Sequence, residues 1–120
     1  MHDQIVWCDI PVNDLERAIK FYSGVLGVDV ERQTFGDVNM GVLPHAGQKV
    51  SGCLVESRET KPSADGPLIY LNCEGRLDAA EATVEKNGGK VLQSKHHIGP
   101  YGFRTLVLDS EGNRIALHSK

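Results

Sequence analysis

The stretch Pro11-Val12-Asn13-Asp14-Leu15-Glu16-Arg17-Ala18-Ile19-Lys20-Phe21-Tyr22 marks the passage from a strand into a helix. Just before it, Val6 to Val12 alternates in polarity with the period of two that predicts a half-buried strand. Asn13 or Asp14 starts the helix, and Asn13-x-x-Glu16 resembles a capping box, in which the Asn side chain accepts an orphan backbone N–H. Apolar residues then recur at helical spacing as far as Gly27, which we expect to form a left-handed cap.

The same order of elements is predicted twice along the chain. After the first helix we expect three strands, over 28–35, 38–43 and 50–56. A proline-containing linker follows, and then come a strand over 68–73, a helix over 77–87 and strands over 90–95, 103–108 and 114–118. The two helices align at a constant offset of 62 positions, which pairs Leu15 with Leu77, Ala18 with Ala80, and Gly27 with Gly89. This repetition favours an internal duplication.

The predicted fold is therefore α+β, with two strand-helix-three-strand modules that form a curved mixed sheet around a half-barrel cleft. We expect a single domain, with module one over about 5–57, a linker over 58–67 and module two over about 68–119. Each module carries its helix on one face of the sheet only. If the helix-free faces of two modules oppose each other, within one chain or across a dimer, the cleft between them is the natural place for a small-molecule ligand.

Alternation along the strands assigns residues to these faces. We expect one set to pack under the helices, namely Val6, Cys8, Ile10, Val12, Ile69, Leu71, Cys73, Ile115 and Leu117. The opposite faces then carry Trp7, Asp9, Leu68, Tyr70, Asn72, Arg114, Ala116 and His118. Five of these are interpreted as lining a ligand cleft, namely Trp7, Asp9, Tyr70, Asn72 and His118, the alternative being that the faces simply meet water.

The sequence contains few candidates for catalytic residues. Asp9 and His118 are the best candidates, because a carboxylate can orient a histidine as a general base; a plain polar pair at a sheet end is the alternative. Lys95 and Arg104 could supply positive charge to an anionic ligand, or lie solvated at the surface. The loop 96–102 could be a lid over the cleft or an ordinary turn.

Composition narrows the function classes. The 120 residues include 13 Lys and Arg against 16 Asp and Glu, a net charge of -3, which argues against a nucleic-acid partner. No apolar run approaches the roughly 20 residues of a membrane span, and the N-terminus lacks the pattern of a signal peptide. The three cysteines are far apart and form no CxxC, so we expect a reducing, cytoplasmic setting.

Three motifs resemble the vicinal oxygen chelate superfamily, which contains glyoxalase I, bleomycin-resistance proteins and extradiol dioxygenases. They are the opening stretch quoted above with Val25-Leu26-Gly27, the segment Asn87-Gly88-Gly89-Lys90-Val91, and the closing Asp109-Ser110-Glu111-Gly112-Asn113-Arg114-Ile115. The last is similar to the motif D-P-x-G-N-x-I, with Ser110 in place of proline. The resemblance covers about Ile5 to His118 and implies the same fold; it implies no particular activity, since one fold hosts many chemistries.

The resemblance also implies where a metal would bind. Catalytic members hold a divalent metal with His and Glu, one ligand from each of four strands, and the metal polarises vicinal oxygens of the substrate. Carried over to this chain, three positions fall at Trp7, at Leu68 or Ile69, and at Ala116, and the fourth falls near 52–54. Indole, alkyl and methyl groups offer a metal no lone pair. We therefore predict no metal cofactor at the usual site and no glyoxalase I activity by the family mechanism.

Three functional hypotheses remain open. The first is a small-molecule-binding protein, or a metal-independent enzyme, that uses the cleft. The second is a drug-sequestering protein similar to the bleomycin-resistance members of the superfamily, which act as dimers. The third is a metal-dependent lyase or dioxygenase whose ligands have moved to other residues, with candidates among His45, His96, His97, His118, Asp9 and Glu56. A homodimer is implied by the resemblance and by the difficulty of closing a half-barrel with one short chain.

Overall fold

The computed structural model describes residues 4–47, 49–57 and 59–120. The first half of these residues contains β1 (Trp7–Val12), α1 (Leu15–Leu26), β2 (Glu31–Phe35), β3 (Val38–Val42) and β4 (Ser51–Glu56). The second half contains β5 (Ile69–Asn72), α2 (Leu77–Thr83), β6 (Lys90–His97), β7 (Phe103–Leu108) and β8 (Arg114–Ser119). Short 3₁₀ turns at Glu85–Asn87 and Gly99–Tyr101 follow α2 and β6. The predicted repetition of element order is confirmed.

Each half forms its own four-stranded mixed sheet. The strand order is β1-β4-β3-β2 in the first sheet and β5-β8-β7-β6 in the second. In both, the first and last strands of the half pair in parallel and the remaining pairs are antiparallel. One helix covers one face of each sheet, which confirms the predicted α+β fold built from two βαβββ modules.

The start of α1 differs by one residue from the predicted capping box. Asp14 is the cap, and its carboxylate accepts a hydrogen bond from the backbone N–H of Arg17 at 3.1 Å. The backbone N–H of Asn13 instead donates to the Glu111 carboxylate at 2.8 Å. At the other end, Gly27 adopts the expected left-handed conformation with φ of 68°.

The two halves share a single buried core. It includes the buried face of α1 and the helix-side residues of both sheets, namely Ile10, Val12, Leu15, Ala18, Phe21, Tyr22, Val25, Leu54, Cys73, Leu77, Ala80, Val84, Val107, Ile115 and Leu117. The close approach of the halves depends on small residues. A Cβ at Gly89 would lie 2.4 Å from Cε1 of Phe21, so a side chain there would push α1 away.

The closing motif of the chain holds the opening motif in place. The buried Asp109 carboxylate accepts a hydrogen bond from the Tyr22 hydroxyl at 2.6 Å. Glu111 accepts from the guanidinium of Arg17 at 2.7 Å, and the side-chain amide of Asn113 donates to the carbonyl oxygen of Pro11 at 2.8 Å. The opening and closing motifs of the family resemblance therefore meet in space and form the junction between the halves.

Several predicted boundaries were wrong. Val6 lies before β1 and is 75% exposed, so it does not pack under α1. The helix α2 ends at Thr83 rather than continuing to 87, and β2 begins at Glu31 rather than at 28. The strand β6 continues through His97, which removes the start of the predicted lid loop. Gln48 in the β3–β4 connection and Arg58 in the linker lie outside the described residues.

Neither α1 nor α2 has the length and apolarity that a bilayer-spanning helix needs, within the part of the chain that is described.

Candidate ligand-binding site

The two helix-free sheet faces are set by strand register. Ile10 and Leu54 lie buried under α1, so their neighbours along β1 and β4 point to the other side of the first sheet. We call this side the first face; it carries Trp7, Asp9, Met40, Val42, Cys53 and Val55. By the same alternation the second sheet presents the second face, which carries Tyr70, Asn72, Arg104, Leu106, Ala116 and His118.

Matching registers make these two faces directly comparable. Asp9 lies opposite Cys53 in the first sheet, and Tyr70 lies opposite Ala116 in the second. On the neighbouring strand pairs, Met40 lies opposite Val55 and Arg104 opposite His118. The duplication therefore places Asp9 where the second half has Tyr70, Cys53 where it has Ala116, and Met40 where it has Arg104.

Arg104 is the centre of the second face. Its Nη1 donates a hydrogen bond to the Tyr70 hydroxyl at 2.5 Å, and its Nε donates to Nε2 of His96 at 3.0 Å. The Nδ1 of His96 lies 2.9 Å from the carbonyl oxygen of Ser94. A carbonyl can only accept, so Nδ1 carries the proton and Nε2 is free to accept from Arg104. The guanidinium is thus held in one orientation by neutral groups.

His118 and Tyr101 complete a recess beside Arg104. The Nε2 of His118 lies 2.6 Å from the Tyr101 carbonyl oxygen, and the His118 ring meets the Tyr70 ring edge-on at 6.0 Å between centroids. The recess has a volume of about 390 Å³ and is lined by Tyr70, Ile98, Tyr101, Arg104 and His118. That volume suits a small ligand of one or two fused rings. We call it the second-face recess.

The first face has a different chemistry. The Cys53 thiol donates to Oδ1 of Asp9 at 3.3 Å, and the Trp7 ring meets the His45 ring edge-on at 5.9 Å. Burial is the main reason that the pKa of Cys53 is raised to about 11; the Asp9 carboxylate raises it further and a hydrogen bond from Trp7 opposes the shift. The Cys53 thiol is therefore protonated near neutral pH and is a poor nucleophile.

The five predicted cleft residues fall into two groups. Tyr70 and His118 are in contact, and Asn72 lies opposite His118 in the register while its side chain accepts from the backbone N–H of Glu74. Trp7 and Asp9 belong to the first face. Across residues 4–47, 49–57 and 59–120, no hydrogen bond or ring contact joins Trp7 or Asp9 to the group on the second face. The two best candidates for catalysis, Asp9 and His118, have Cys53 and Tyr101 as their partners.

Sequence reasoning missed part of the recess. Tyr101 and Ile98 lie in the segment for which a lid and an ordinary turn are the two alternatives, and Arg104 is named as a possible positive charge for an anionic ligand but not as part of the cleft. The register of β7 against β8, which puts Arg104 beside His118, depends on a long-range pairing. The alternation Arg104, Leu106 and Leu108 was the available signal, since it continues the face that carries His118.

The residues at the superfamily's metal positions do not fit a metal. Trp7 and Leu68 carry no donor for a divalent cation, and Ala116 is fully buried opposite Tyr70. The register makes Cys53 the counterpart of Ala116, and its raised pKa keeps the thiol protonated. In the described parts of the chain, no cluster of three or more His, Cys, Asp or Glu side chains is placed to hold an ion.

Comparisons with known proteins agree with this architecture. The sequence profile of the Glyoxalase/Bleomycin resistance protein/Dioxygenase superfamily matches residues 4–117. A glyoxylase-like domain-containing protein from Didymella fabae is 32% identical over 124 residues, which cover 98% of this chain and 94% of that relative.

Solved structures share the fold over nearly the whole chain. A glyoxalase/bleomycin resistance protein from Albidiferax ferrireducens superimposes with a TM-score of 0.76 at 17% identity, covering 98% of this chain and 99% of its own. An antibiotic binding protein from Streptomyces sp. CB03234 gives a TM-score of 0.72 at 25% identity, covering 98% of this chain and 96% of its own. With its repeated βαβββ module and its paired end motifs, this chain belongs to the Glyoxalase/Bleomycin resistance protein/Dioxygenase superfamily.

Proposed function

We propose that this protein binds a small aromatic molecule on its helix-free sheet faces and does so without the metal chemistry of its superfamily. The observation that carries the proposal is the second-face recess, where Tyr70 and Tyr101 provide rings and Arg104 and His118 provide polar groups. Aromatic walls with a few fixed polar groups are the usual composition of a small-molecule site. Tyr101 is 74% exposed, so its ring is available to a ligand.

Binding is better supported than catalysis. The superfamily's metal positions carry Trp7, Leu68 and Ala116, which offer no ligand for the ion that polarises the substrate in catalytic members. The thiol of the first face, Cys53, is held protonated by burial and by Asp9. Among the described residues that line the recess, Arg104 donates to the Tyr70 hydroxyl and His118 contacts the Tyr101 carbonyl oxygen, so these polar groups have fixed positions that support recognition.

A drug-binding role is the form of this function that the comparisons favour. The Streptomyces protein with a TM-score of 0.72 and 25% identity is described as antibiotic binding. A similar role for this chain would use the aromatic and polar groups of the recess to hold a drug-like ring system. A metal-dependent lyase or dioxygenase with relocated ligands is the weaker alternative, because it needs donors that the described residues do not bring together.

We further propose that two copies close the site. Large apolar side chains lie exposed on both sheets, including Trp7 and Phe35 on the first and Tyr70 and Tyr101 on the second. The first sheet's helix-free side carries the carboxylate of Glu31. The second sheet's helix-free side carries the guanidinium group of Arg114, which does not line the recess. Opposite charges and a two-fold axis would pair each first face with the other copy's second face.

Such a dimer would unite the two groups of predicted cleft residues. Trp7 and Asp9 of one copy would face Tyr70, Asn72 and His118 of the other, and two equivalent clefts would result. Light scattering should then give twice the chain mass of 13.1 kDa. Asp9→Arg should shift the protein toward the monomer, whereas Asp29→Arg, an equal charge change in the exposed loop before β2, should not. A monomer at all concentrations would contradict the dimer.

The binding function is tested with N-phenyl-1-naphthylamine, a neutral fluorescent probe. The wild-type protein should enhance its fluorescence in a saturable way, and Tyr101→Ala should weaken binding about fivefold, because one wall of the recess is lost. Val28→Ala removes an exposed apolar side chain just after α1 and serves as the control. Loss of affinity in both variants, or in neither, would place binding elsewhere.

Metal content separates this function from the alternative enzyme. Untagged protein is dialysed after incubation with nickel, zinc, cobalt, manganese and iron(II), and bound metal is measured by mass spectrometry. We expect no stoichiometric metal. One ion per chain that disappears in His118→Ala would favour a lyase or dioxygenase centre built from relocated ligands.

A further inference from the structure

Arg104 lies on the second face without a carboxylate partner. Its two contacts are the Tyr70 hydroxyl and the neutral Nε2 of His96. Among the described residues, the ion pairs within 4.0 Å involve Arg17, Arg32 and Lys95, and none involves Arg104. A guanidinium has five N–H donors, so the two contacts leave donors for a ligand. An Arg that is oriented by neutral neighbours and not neutralised is a preformed anion site.

The surroundings of Arg104 are free of competing acids. The helix-free positions of β5, β7 and β8 carry, besides Arg104, the side chains of Tyr70, Asn72, Leu106, Leu108, Arg114, Ala116 and His118, and none is acidic. The acids nearest in the chain are used elsewhere. Glu74 accepts from the backbone N–H of Lys120 at 2.8 Å, and Asp109 is buried against Tyr22 at the junction. Within one copy, these positions therefore place no carboxylate beside Arg104.

Aromatic surface lies next to this charge. Tyr70 is 47% exposed, and its ring centroid lies 5.9 Å from the guanidinium carbon and 6.0 Å from the centroid of the His118 ring. Tyr101 and Ile98 form the outer wall of the recess. A ring seated against this wall would bring a charged substituent within reach of the unused N–H groups of Arg104.

From this geometry we propose that the second-face recess selects planar aromatic anions, with the carboxylate or sulfonate hydrogen-bonded by Arg104 and the ring packed on Tyr101 and Ile98. The proposal rests on the binding function above and names its ligand class. The first face provides an internal contrast, because the topological equivalent of Arg104 is Met40 and the equivalent of Tyr70 is Asp9. Within one copy, an anion therefore has a preformed partner, Arg104, on the second face and a repelling carboxylate, Asp9, on the first face.

A matched pair of fluorescent probes tests the charge separately from the ring system. 8-Anilinonaphthalene-1-sulfonate carries a sulfonate, and N-phenyl-1-naphthylamine is the same ring system without it. The variants are Arg104→Met, which copies the residue of the first face, Arg104→Lys, which keeps the charge but loses the fork, and Lys20→Met as control. Lys20→Met removes the same charge from the exposed surface of α1. Thermal unfolding confirms that each variant is folded.

The wild-type protein should bind the sulfonate more tightly than the neutral probe. Arg104→Met should weaken the affinity for the sulfonate probe about tenfold or more and change the affinity for the neutral probe by less than about twofold. The sulfonate affinity of Arg104→Lys should lie between those of Arg104→Met and the wild type. Lys20→Met should match the wild type. If Arg104→Met affects both probes equally or neither, the anion selectivity is wrong while the binding function stands. If the wild-type protein binds neither probe, both proposals are overturned.

Discussion

The two halves of this protein agree on the helix side of their sheets and disagree on the other side. Under α1 and α2, Ile10 and Leu54 correspond to Leu71 and Leu117, and all four belong to or pack against the one core. On the helix-free faces, the carboxylate of Asp9 corresponds to the phenol of Tyr70, and Met40 corresponds to Arg104. Packing constrains the first set, whereas a solvent-facing surface can change its chemistry without loss of the fold.

The contrast between the helix-covered and helix-free sides of the sheets indicates which residues serve function. A residue under a helix must fill a fixed volume, so both halves keep aliphatic side chains there. The faces instead hold an acidic, thiol-bearing surface in one half and a cationic, aromatic recess in the other. Duplication followed by divergence of one face is the simplest account of two equal scaffolds with unequal sites. The two halves are held in a fixed relation by the junction at Asp109, whose carboxylate accepts a hydrogen bond from Tyr22 of the other half.

Breaking the junction should have the largest effect. Asp109→Ala removes the acceptor of hydrogen bonds from the Tyr22 hydroxyl, from the side chain and backbone of Asn113, and from the backbone N–H of Glu111. Because Tyr22 and Asn113 are buried, the Tyr22 hydroxyl and the Asn113 backbone N–H would lose their acceptor, and we expect a loss of about 3–5 kcal/mol in the free energy of unfolding. Urea unfolding monitored by circular dichroism measures this loss.

Two further variants calibrate the junction. Tyr22→Phe keeps the ring and loses the hydrogen bond to the buried Asp109 side chain, which should cost about 1–3 kcal/mol. Asp29→Ala, at an exposed position, should change stability by less than about 0.5 kcal/mol. If Asp109→Ala were no worse than Asp29→Ala, the junction would not be what joins the halves.

The same junction should make the fold sensitive to acid. Burial alone would raise the pKa of Glu111, but hydrogen bonds from Arg17, from the backbone of Asp14 and Asn13 and from Ser110 outweigh it, and the pKa falls from 4.5 to about 2. Because the folded value lies below the unfolded one, the ionised carboxylate stabilises the fold above about pH 4.5. This contribution is lost as the pH falls from 4.5 to about 2. Allowing for the half-exposed Arg17, it amounts to about 1–3 kcal/mol.

Glu111→Gln isolates this contribution. The variant should be less stable than wild type at pH 7, and the difference between the two unfolding free energies should shrink between pH 4.5 and about pH 2. Glu85→Gln, at an exposed position in the 3₁₀ turn after α2, is the matched control and should follow the wild-type curve. If the difference in unfolding free energy between Glu111→Gln and the wild type stays constant with pH, these contacts do not lower the pKa of Glu111 in the folded protein.

The scaffold was largely readable from the sequence, and the site was not. Local sequence patterns predicted both helices, the alternation of the strands and the left-handed cap at Gly27, because each of these features depends on residues close together in the chain. The contacts of Arg104 depend on β7 meeting β6 and β8, and β6 has register shifts between Val91 and His96 that no local pattern indicates. The hydrogen bond from Arg17 to Glu111 joins residues 94 positions apart. The two motifs could therefore be recognised from the sequence, but their contact in space could not be predicted.

The thiol of the first face offers a smaller test. Because the Asp9 carboxylate contributes to the raised pKa of Cys53, Asp9→Asn should lower that pKa and speed alkylation of Cys53 by iodoacetamide severalfold at pH 9. Peptide mass spectrometry reads each cysteine separately, so the buried Cys73 of the other half serves as the internal control. A rate at Cys53 that is unchanged or slower in the variant would mean that Asp9 does not act on the thiol.

The smallest expected effect is the most informative about the two faces. Met40→Arg, in the Arg104→Met background, gives the first face the guanidinium that the second face uses. Asp9 occupies the position from which Tyr70 contacts Arg104, so the new guanidinium should pair with a carboxylate and leave 8-anilinonaphthalene-1-sulfonate affinity within about twofold of the background. Adding Asp9→Asn should then raise the affinity severalfold, because the new charge loses its partner. Tight sulfonate binding by the variant that retains Asp9 would mean that a cation on either sheet suffices, and that the neutral neighbours of Arg104 are not what distinguishes the second face.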